Sequence, residues 1–256
     1  MTTDIPATAL VTGAANRIGR AIALDLAAAG WSVAVHHNRS VDAASAVIDD
    51  ITANGGRAVA IAADLTEDTQ TAALLTETAD RLGPVTCLVN NASVFEHDSV
   101  ESATRASWDR HMNVNLRAPF VLAQGLAAAL PADASATIIN MIDQRVWNLT
   151  PHFVSYTLAK SGLWTMTQTL AMALAPRIRV NAIGPGPTLP STRQTEAHFA
   201  TQVERTPLRR AVTLDEICAA VRFILDAPAL TGQMIALDSG QHLGWQHPND
   251  VRPPEE

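Results

Sequence analysis

The chain has 256 residues, of which 47% are hydrophobic and 17% charged, and carries a formal charge of -7. This composition suits one globular domain with a substantial core and excludes a disordered or fibrous chain. The acidic balance, relieved only by the short Arg209-Arg210 pair, argues against a nucleic-acid partner.

Two cysteines, Cys87 and Cys218, lie in apolar surroundings without ligand spacing, so no disulfide framework and no metal site are expected. The stretch "MTTDIPATAL" lacks a basic segment followed by a secretory apolar core. No apolar run reaches the ~18 residues of a membrane span. A cytoplasmic, reducing setting without membrane contact is the expectation.

A first strand is expected from Ala7 to Thr12. Gly13 then permits a tight turn, and an amphipathic helix opens near Arg17, with Ile18, Ile22 and Leu26 on one face. Backbone amides at such a helix start suit a pyrophosphate, and Gly19 allows helix and strand to approach closely. The second strand, Ser32 to His36, runs into "HHNRS". An NAD site normally places Asp or Glu here for the ribose hydroxyls. This sequence offers Arg39 and Ser40, with His37 and Asn38 before them, which suits the 2′-phosphate of NADPH. A solvated loop arginine is the alternative for Arg39, and the missing carboxylate weighs against it.

Further strands are expected at Ala58 to Ala62, Cys87 to Asn90, Thr137 to Ile142, Arg179 to Ile183 and Met234 to Leu237. Their hydrophobicity is continuous rather than alternating, the pattern of strands covered on both faces. The fold class is therefore α/β: a single-domain, Rossmann-like, doubly wound sheet of about seven parallel strands with helices on both faces. No linker and no repeat divides the chain, so one domain is expected over residues 1–246. Within it, residues 184–210 carry four prolines and interrupt the pattern where a substrate lid could sit; residues 247–256 read as a flexible acidic tail.

The stretch "PHFVSYTLAKSGLWTMTQTLAMALA" predicts a helix between Pro151 and Pro176. It holds the sole tyrosine and the sole lysine of the chain, Tyr156 and Lys160, about one turn apart and so on one face. A free phenol has a pKa of about 10, and a nearby ammonium lowers it, which makes the pair a tunable proton donor. The plainer alternative is a surface tyrosine beside a solvated lysine.

With "TGAANRIG", "NNAS", "NVN" and the Tyr156-Lys160 spacing in order, the chain resembles the short-chain dehydrogenase/reductase family over nearly its whole length. The resemblance implies that Tyr156 donates the proton, Lys160 binds the nicotinamide ribose and depresses the tyrosine pKa, and Asn115 supports a proton-relay water. It implies that Gly13, Asn16, Arg17, Ile18 and Gly19 form the phosphate turn and that Asp64 and Leu65 reach the adenine. Asn91, Ala92 and Ser93 would line the cofactor, Pro185 and Gly186 would close over the nicotinamide, and four chains would assemble into a homotetramer.

Two departures from the common family pattern are informative. Arg17 replaces the usual glycine between Gly13 and Gly19, and Asp143 replaces the usual catalytic serine thirteen residues before the tyrosine. An ionised carboxylate only accepts hydrogen bonds, so it is a poor oxyanion-hole donor for a ketone and suits a substrate rich in N–H groups. Both changes are similar to the pteridine reductase branch, as are "H-x-x-R-S" and "NNAS-x-F". "DSGQHLGW" is similar to bacterial dihydromonapterin and dihydrofolate reductase members. In a pocket of that kind Phe95 could stack on a flat ring, Ser93 and Asp143 could bond its nitrogens, and Arg17 could reach a polar edge or the cofactor phosphates. Singly, Phe95 could be core, Asp143 a cap and Arg17 a surface ion-pair partner.

The expected activity is thus NADPH-dependent reduction of a dihydropterin or dihydrofolate. The alternatives are an NADPH-dependent reductase of 3-oxoacyl chains or small ketones, and a non-catalytic NADPH-binding sensor.

Overall fold

In the computed structural model, which describes residues 7–191 and 194–244, three central strands are buried along their whole length. These are β1 (Thr8–Val11), β4 (Cys87–Asn90) and β5 (Ala136–Met141). Burial from both sides is the reason their sequences show no polar alternation. They join β2 (Ser32–His37), β3 (Ala58–Ala62), β6 (Ile178–Pro185) and β7 (Met234–Leu237) in one parallel sheet of order β3-β2-β1-β4-β5-β6-β7. The strand order reverses between β1 and β4, which opens a crevice at the carboxyl ends of those strands.

One face is covered by α1 (Arg17–Ala28), α2 (Val41–Ala53) and α8 (Leu214–Asp226), whose Ile22, Leu26, Val47, Ile51, Ile217 and Val221 join the Val33, Val35, Val89 and Ile139 layer. The other is covered by α3 (Asp68–Leu82), α5 (Ala118–Ala129) and α6 (Val154–Ala173), where Leu74, Leu122 and Leu126 meet Leu10, Leu88 and Ile138. Each such side chain contributes about 1.5–3 kcal/mol by leaving water.

β6 runs past the expected Ile183 because β7 continues alongside it, pairing Gly184 with Ala236 and Pro185 with Leu237. Pro185 is tolerated there because β5 has already ended at Met141 and leaves no ladder acceptor on that side. Between α3 and α5, α4 (Arg105–Met112) passes through a π-turn, Asn113–Arg117, directly into α5. The expected lid contains a short helix, α7 (Glu196–Glu204), after the residues that leave β6. The expected tail at 247–256, Trp245 of "DSGQHLGW" and the lid residues 192–193 lie outside the described residues. Among the described residues no helix is long and apolar enough to cross a membrane, and no group of His, Cys, Asp or Glu side chains could hold a metal ion.

Candidate active site

A cavity of about 910 Å³ opens at the carboxyl ends of β1, β4, β5 and β6. Its first wall is the turn after β1, where Gly13 adopts φ +63 and faces Ala92; a Cβ there would approach Ala92 Cα to 3.0 Å. Gly19, in the first turn of α1, is more confined still. A Cβ on it would lie 2.4 Å from the Gly13 carbonyl oxygen and 2.5 Å from Asn91 Nδ2. Asn91 braces this turn by donating from Nδ2 to the Thr12 carbonyl at 2.8 Å, while the Asn91 and Ala92 amides donate to Thr12 Oγ1. Asn16, at the N-cap of α1, makes no side-chain capping bond, so the helix start carries amides that a bound anion can take.

Arg17 occupies φ +55, a left-handed conformation that costs a non-glycine residue about 1–2 kcal/mol. This is the position at which the common family pattern has glycine. Its exposed guanidinium donates to the Pro190 and Leu189 carbonyls at 2.9 and 3.2 Å, tying the turn to the segment that follows β6 rather than to a surface carboxylate. Asn16, Arg17 and Ile18 all line the cavity.

His36, the histidine that opens the "H-x-x-R-S" segment, shapes this turn. The Gly13 amide donates to its Nδ1 at 3.0 Å, and its Nε2 lies 3.1 Å from the Ala63 carbonyl oxygen. A backbone amide can only donate, so Nδ1 accepts and Nε2 carries the proton: the imidazole is neutral. Burial holds its pKa at about 4.

Asn38 and Arg39 line the cavity at the end of β2. His37 is buried behind that wall, and Ser40 is exposed at the N-cap of α2; neither lines the cavity. Across from Arg39, Asp64 and Leu65 form the opposing edge. The Asp64 carboxylate accepts from the Thr66 amide and hydroxyl at 2.9 and 2.8 Å, bonds that hold its pKa below the usual range, amide first.

The floor is built by α6 and the turn after β5. Tyr156 and Lys160 are 5% and 2% exposed, and both line the cavity, so the one-turn spacing does bring them together. Tyr156 Oη donates to Asp143 Oδ2 at 2.9 Å. The other carboxylate oxygen of Asp143 accepts from the Arg145 amide at 2.8 Å and so caps a short 3-10 turn, Gln144–Val146. Asp143 is therefore a cap, as weighed for it, and is also the hydrogen-bond partner of Tyr156. Lys160 Nζ donates to the Met141 carbonyl at 2.8 Å and lies 5.8 Å from the Tyr156 ring centroid. Burial lowers the Lys160 pKa to about 8 against the opposing pull of Asp143.

Phe95 lines the cavity, with one face stacked on Phe153 at 4.6 Å and 6°, and its ring meets Tyr156 edge-on at 4.7 Å. Ser93 stands beside it on the wall. Asn115 is fully buried and does not line the cavity. Its amide is committed to Val94, donating from Nδ2 to the carbonyl and accepting at Oδ1 from the N–H, both at 2.8 Å.

Pro185 and Gly186 form the roof where the chain leaves β6, followed by Thr188 and Leu189. Gly186 passes so close to β7 that a Cβ would sit 2.6 Å from Asp238 Cα. Gln194, Phe199 and Gln202 complete the outer wall, and Gln194 Nε2 donates to Gln202 Oε1 at 2.9 Å.

A parallel sheet with a braced glycine turn at its switch point and a buried tyrosine-lysine pair on the cavity floor defines a Rossmann-type oxidoreductase. The model of the short chain dehydrogenase family matches residues 7–201, and the chain belongs to that family. It is 51% identical to the alternative dihydrofolate reductase 1, FolM, of Brucella canis, crystallised with NADP; that match has a TM-score of 0.92 and covers 96% of this chain and 97% of the other. The Brucella suis counterpart, also with NADP, is 51% identical at TM-score 0.92, covering 98% of this chain and 100% of the other. A 3-oxoacyl-[acyl-carrier-protein] reductase of Synechocystis sp. is 33% identical over 237 residues, 91% of this chain and 95% of its own.

Proposed function

We propose that the protein is an NADPH-dependent reductase of a dihydropterin or dihydrofolate. The observation that carries the reading is the Tyr156-Asp143 pair: a phenol held by a carboxylate where a ketone reductase of this family has a hydroxyl donor. The two Brucella structures, named for dihydrofolate reduction and holding NADP, support the same reading.

The residues present fit the cofactor. The Gly13 and Gly19 confinement and the uncapped start of α1 leave room for a pyrophosphate and for nothing larger than hydrogen on those two residues. Arg39 and Asn38 take the 2′-phosphate, with the start of α2 at Ser40 beside them; Asp64 and Leu65 take the adenine edge; Ala92, Pro185 and Gly186 bound the nicotinamide. When bound, the nicotinamide supplies the hydride to the electron-poor carbon of a C=N bond.

The protein's own groups handle the proton. Asp143, accepting from Tyr156, holds the hydroxyl in place at the cavity floor. Lys160 stabilises the phenolate left when that proton passes to the adjoining ring nitrogen. The carboxylate also accepts ring or amino N–H groups, and Phe95 and Ser93 set the plane of the ring. Asn115 contributes by clamping Val94, which fixes the Phe95 segment. Holding donor and ring in register is the main contribution of the site.

A second reading, reduction of 3-oxoacyl chains or ketones, is favoured by the names of the curated relatives at 32–33% identity. NADPH oxidation measured against 7,8-dihydropterins, dihydrofolate and an oxoacyl and ketone panel, with methotrexate as competitor, separates the two. Preference for a dihydropterin or dihydrofolate with competitive inhibition supports the first; preference for ketones contradicts it. The homotetramer belongs to the same proposal: Leu158 and Met172 are exposed on α6, as a helix covered by a partner chain requires. A monomeric mass by light scattering contradicts it.

A further inference from the structure

Behind the cavity floor, Asp98, His111 and Ser155 are 2%, 0% and 0% exposed, and none of them lines the cavity. They come from three separate segments: the loop that follows β4 and carries Phe95, the helix α4 four residues before Asn115, and the first turn of α6 just before Tyr156.

The direction of their hydrogen bonds is forced. The Glu96 amide, which can only donate, points at His111 Nε2 at 3.2 Å, so Nε2 accepts and the neutral imidazole carries its proton on Nδ1. That N–H donates to Ser155 Oγ at 2.6 Å, with the Ser107 carbonyl as a second acceptor. The hydroxyl proton must then go to Asp98 Oδ2, the remaining partner of Ser155 Oγ. Asp98 Oδ1 accepts from the Ser155 amide at 3.2 Å, and the Asp98 carbonyl accepts from the Phe153 amide at 2.8 Å.

This chain does what the helix's own N-cap does not. Phe153, at the N-cap of α6, has φ 58 and ψ 47 and no capping side chain. A carboxylate supplied from another segment takes the Ser155 amide of the first turn and complements the positive end of the helix. The left-handed Phe153 is in turn stacked on Phe95, and the His111 ring lies 6.1 Å from that of Tyr156.

We propose that Asp98, Ser155 and His111 are positioning residues whose directed hydrogen-bond chain sets the rotation of the first turn of α6, and with it the placement of the Tyr156 hydroxyl against Asp143. The inference rests on Tyr156 being the proton donor, and not on which substrate is reduced. Without the chain, the Ser155 amide and hydroxyl lose their carboxylate acceptor, the first turn rotates about the remaining bond from the Phe153 amide to the Asp98 carbonyl, and the 2.9 Å contact to Asp143 is lost.

Tyr156 is the sole tyrosine, so protein made with ¹³C-labelled tyrosine gives one phenol carbon resonance, and its titration reports this group alone. In the NADP complex, Asp98→Asn, which is nearly isosteric but turns one acceptor into a donor, is expected to shift that titration by at least about half a pH unit and to lower kcat about tenfold or more. Ser155→Ala is expected to do the same, and Ser155→Thr, which keeps the hydroxyl, to restore both readouts to within about threefold of wild type. NADP affinity by calorimetry should stay near wild type in Asp98→Asn, with the melting temperature lowered by no more than about ten degrees. An unchanged titration and kcat in Asp98→Asn and Ser155→Ala overturn the inference, as does a parallel loss of NADP binding, melting transition and titration in both variants, which marks a structural role only. The titration needs no substrate, so an error in the substrate assignment leaves it valid, and full activity of Tyr156→Phe refutes the donor role separately.

Discussion

The Tyr156 hydroxyl donates to a carboxylate oxygen of Asp143 across 2.9 Å, and the second oxygen of the same carboxylate is pinned by the Arg145 amide. An ionised carboxylate only accepts hydrogen bonds, so a developing ketone oxyanion would meet a like charge. An N–H-rich ring meets an acceptor.

Asp143→Ser should exchange these properties. A hydrogen bond to a charged group is worth about 1.5–3 kcal/mol, so dihydropterin turnover is expected to fall roughly 10- to 100-fold while NADPH affinity stays within about twofold. Ketone turnover should rise. Steady-state kinetics on both substrate classes, with fluorescence titration of NADPH, checks it; full pterin activity in the variant sinks the assignment.

Arg39→Ala tests the cofactor edge. The guanidinium stands at the cavity rim opposite Asp64, where the 2′-phosphate is placed. Its removal should weaken NADPH about 10- to 100-fold and leave NADH binding nearly unchanged, as comparative titrations of the two nucleotides would reveal. Equal losses for both would place the phosphate elsewhere.

Gly19→Ala tests the turn. The added methyl meets backbone at 2.4 Å and the bracing amide of Asn91 at 2.5 Å, so something must shift. Overpacking of this kind costs about 1–3 kcal/mol. Thermal melting should drop and NADPH binding should weaken more than tenfold, given that the displaced groups are those that would cradle the pyrophosphate. A variant that melts and binds like wild type would show that the turn has slack.

His36 makes stability depend on pH. Its pKa is about 4 in the folded protein against an ordinary 6.5, so below pH 6.5 the unfolded chain binds a proton that the folded one refuses. Stability from this residue is complete above about pH 6.5, declines as pH falls, and levels off below about 4; the full effect is about 3 kcal/mol. His36→Gln retains an acceptor for the Gly13 amide but does not titrate. Urea midpoints at pH 7 and pH 4.5 should therefore show wild type losing more stability than the variant, and equal losses would contradict the assignment.

Much of this was legible from residue order because burial on two faces leaves a plain signature. The runs Ala58–Ala62, Cys87–Asn90 and Met234–Leu237 are strands with the bounds their apolar character suggests. The one-turn spacing of Tyr156 and Lys160 carried over because helical periodicity is local. The rest depends on contacts between distant segments. Phe153 takes φ 58 because Asp98, 55 positions earlier, holds its amide, and nothing in "PHFVS" announces that. The His36 bond to Gly13 spans 23 positions. Phe95 was expected to offer its ring to a ligand, and one of its faces is already taken by Phe153. Asn115 bonds Val94 through both ends of its amide, a contact set by how the π-turn Asn113–Arg117 meets the β4 loop.

The central claim is that Tyr156, with a carboxylate holding its proton and Lys160 beside it, protonates a reduced pterin ring. Turnover of Tyr156→Phe with NADPH and a 7,8-dihydropterin, measured alongside NADPH affinity, tests it most directly. The expected result is a loss of about 10²-fold or more in kcat with affinity retained; a variant as fast as wild type contradicts the donor role of Tyr156.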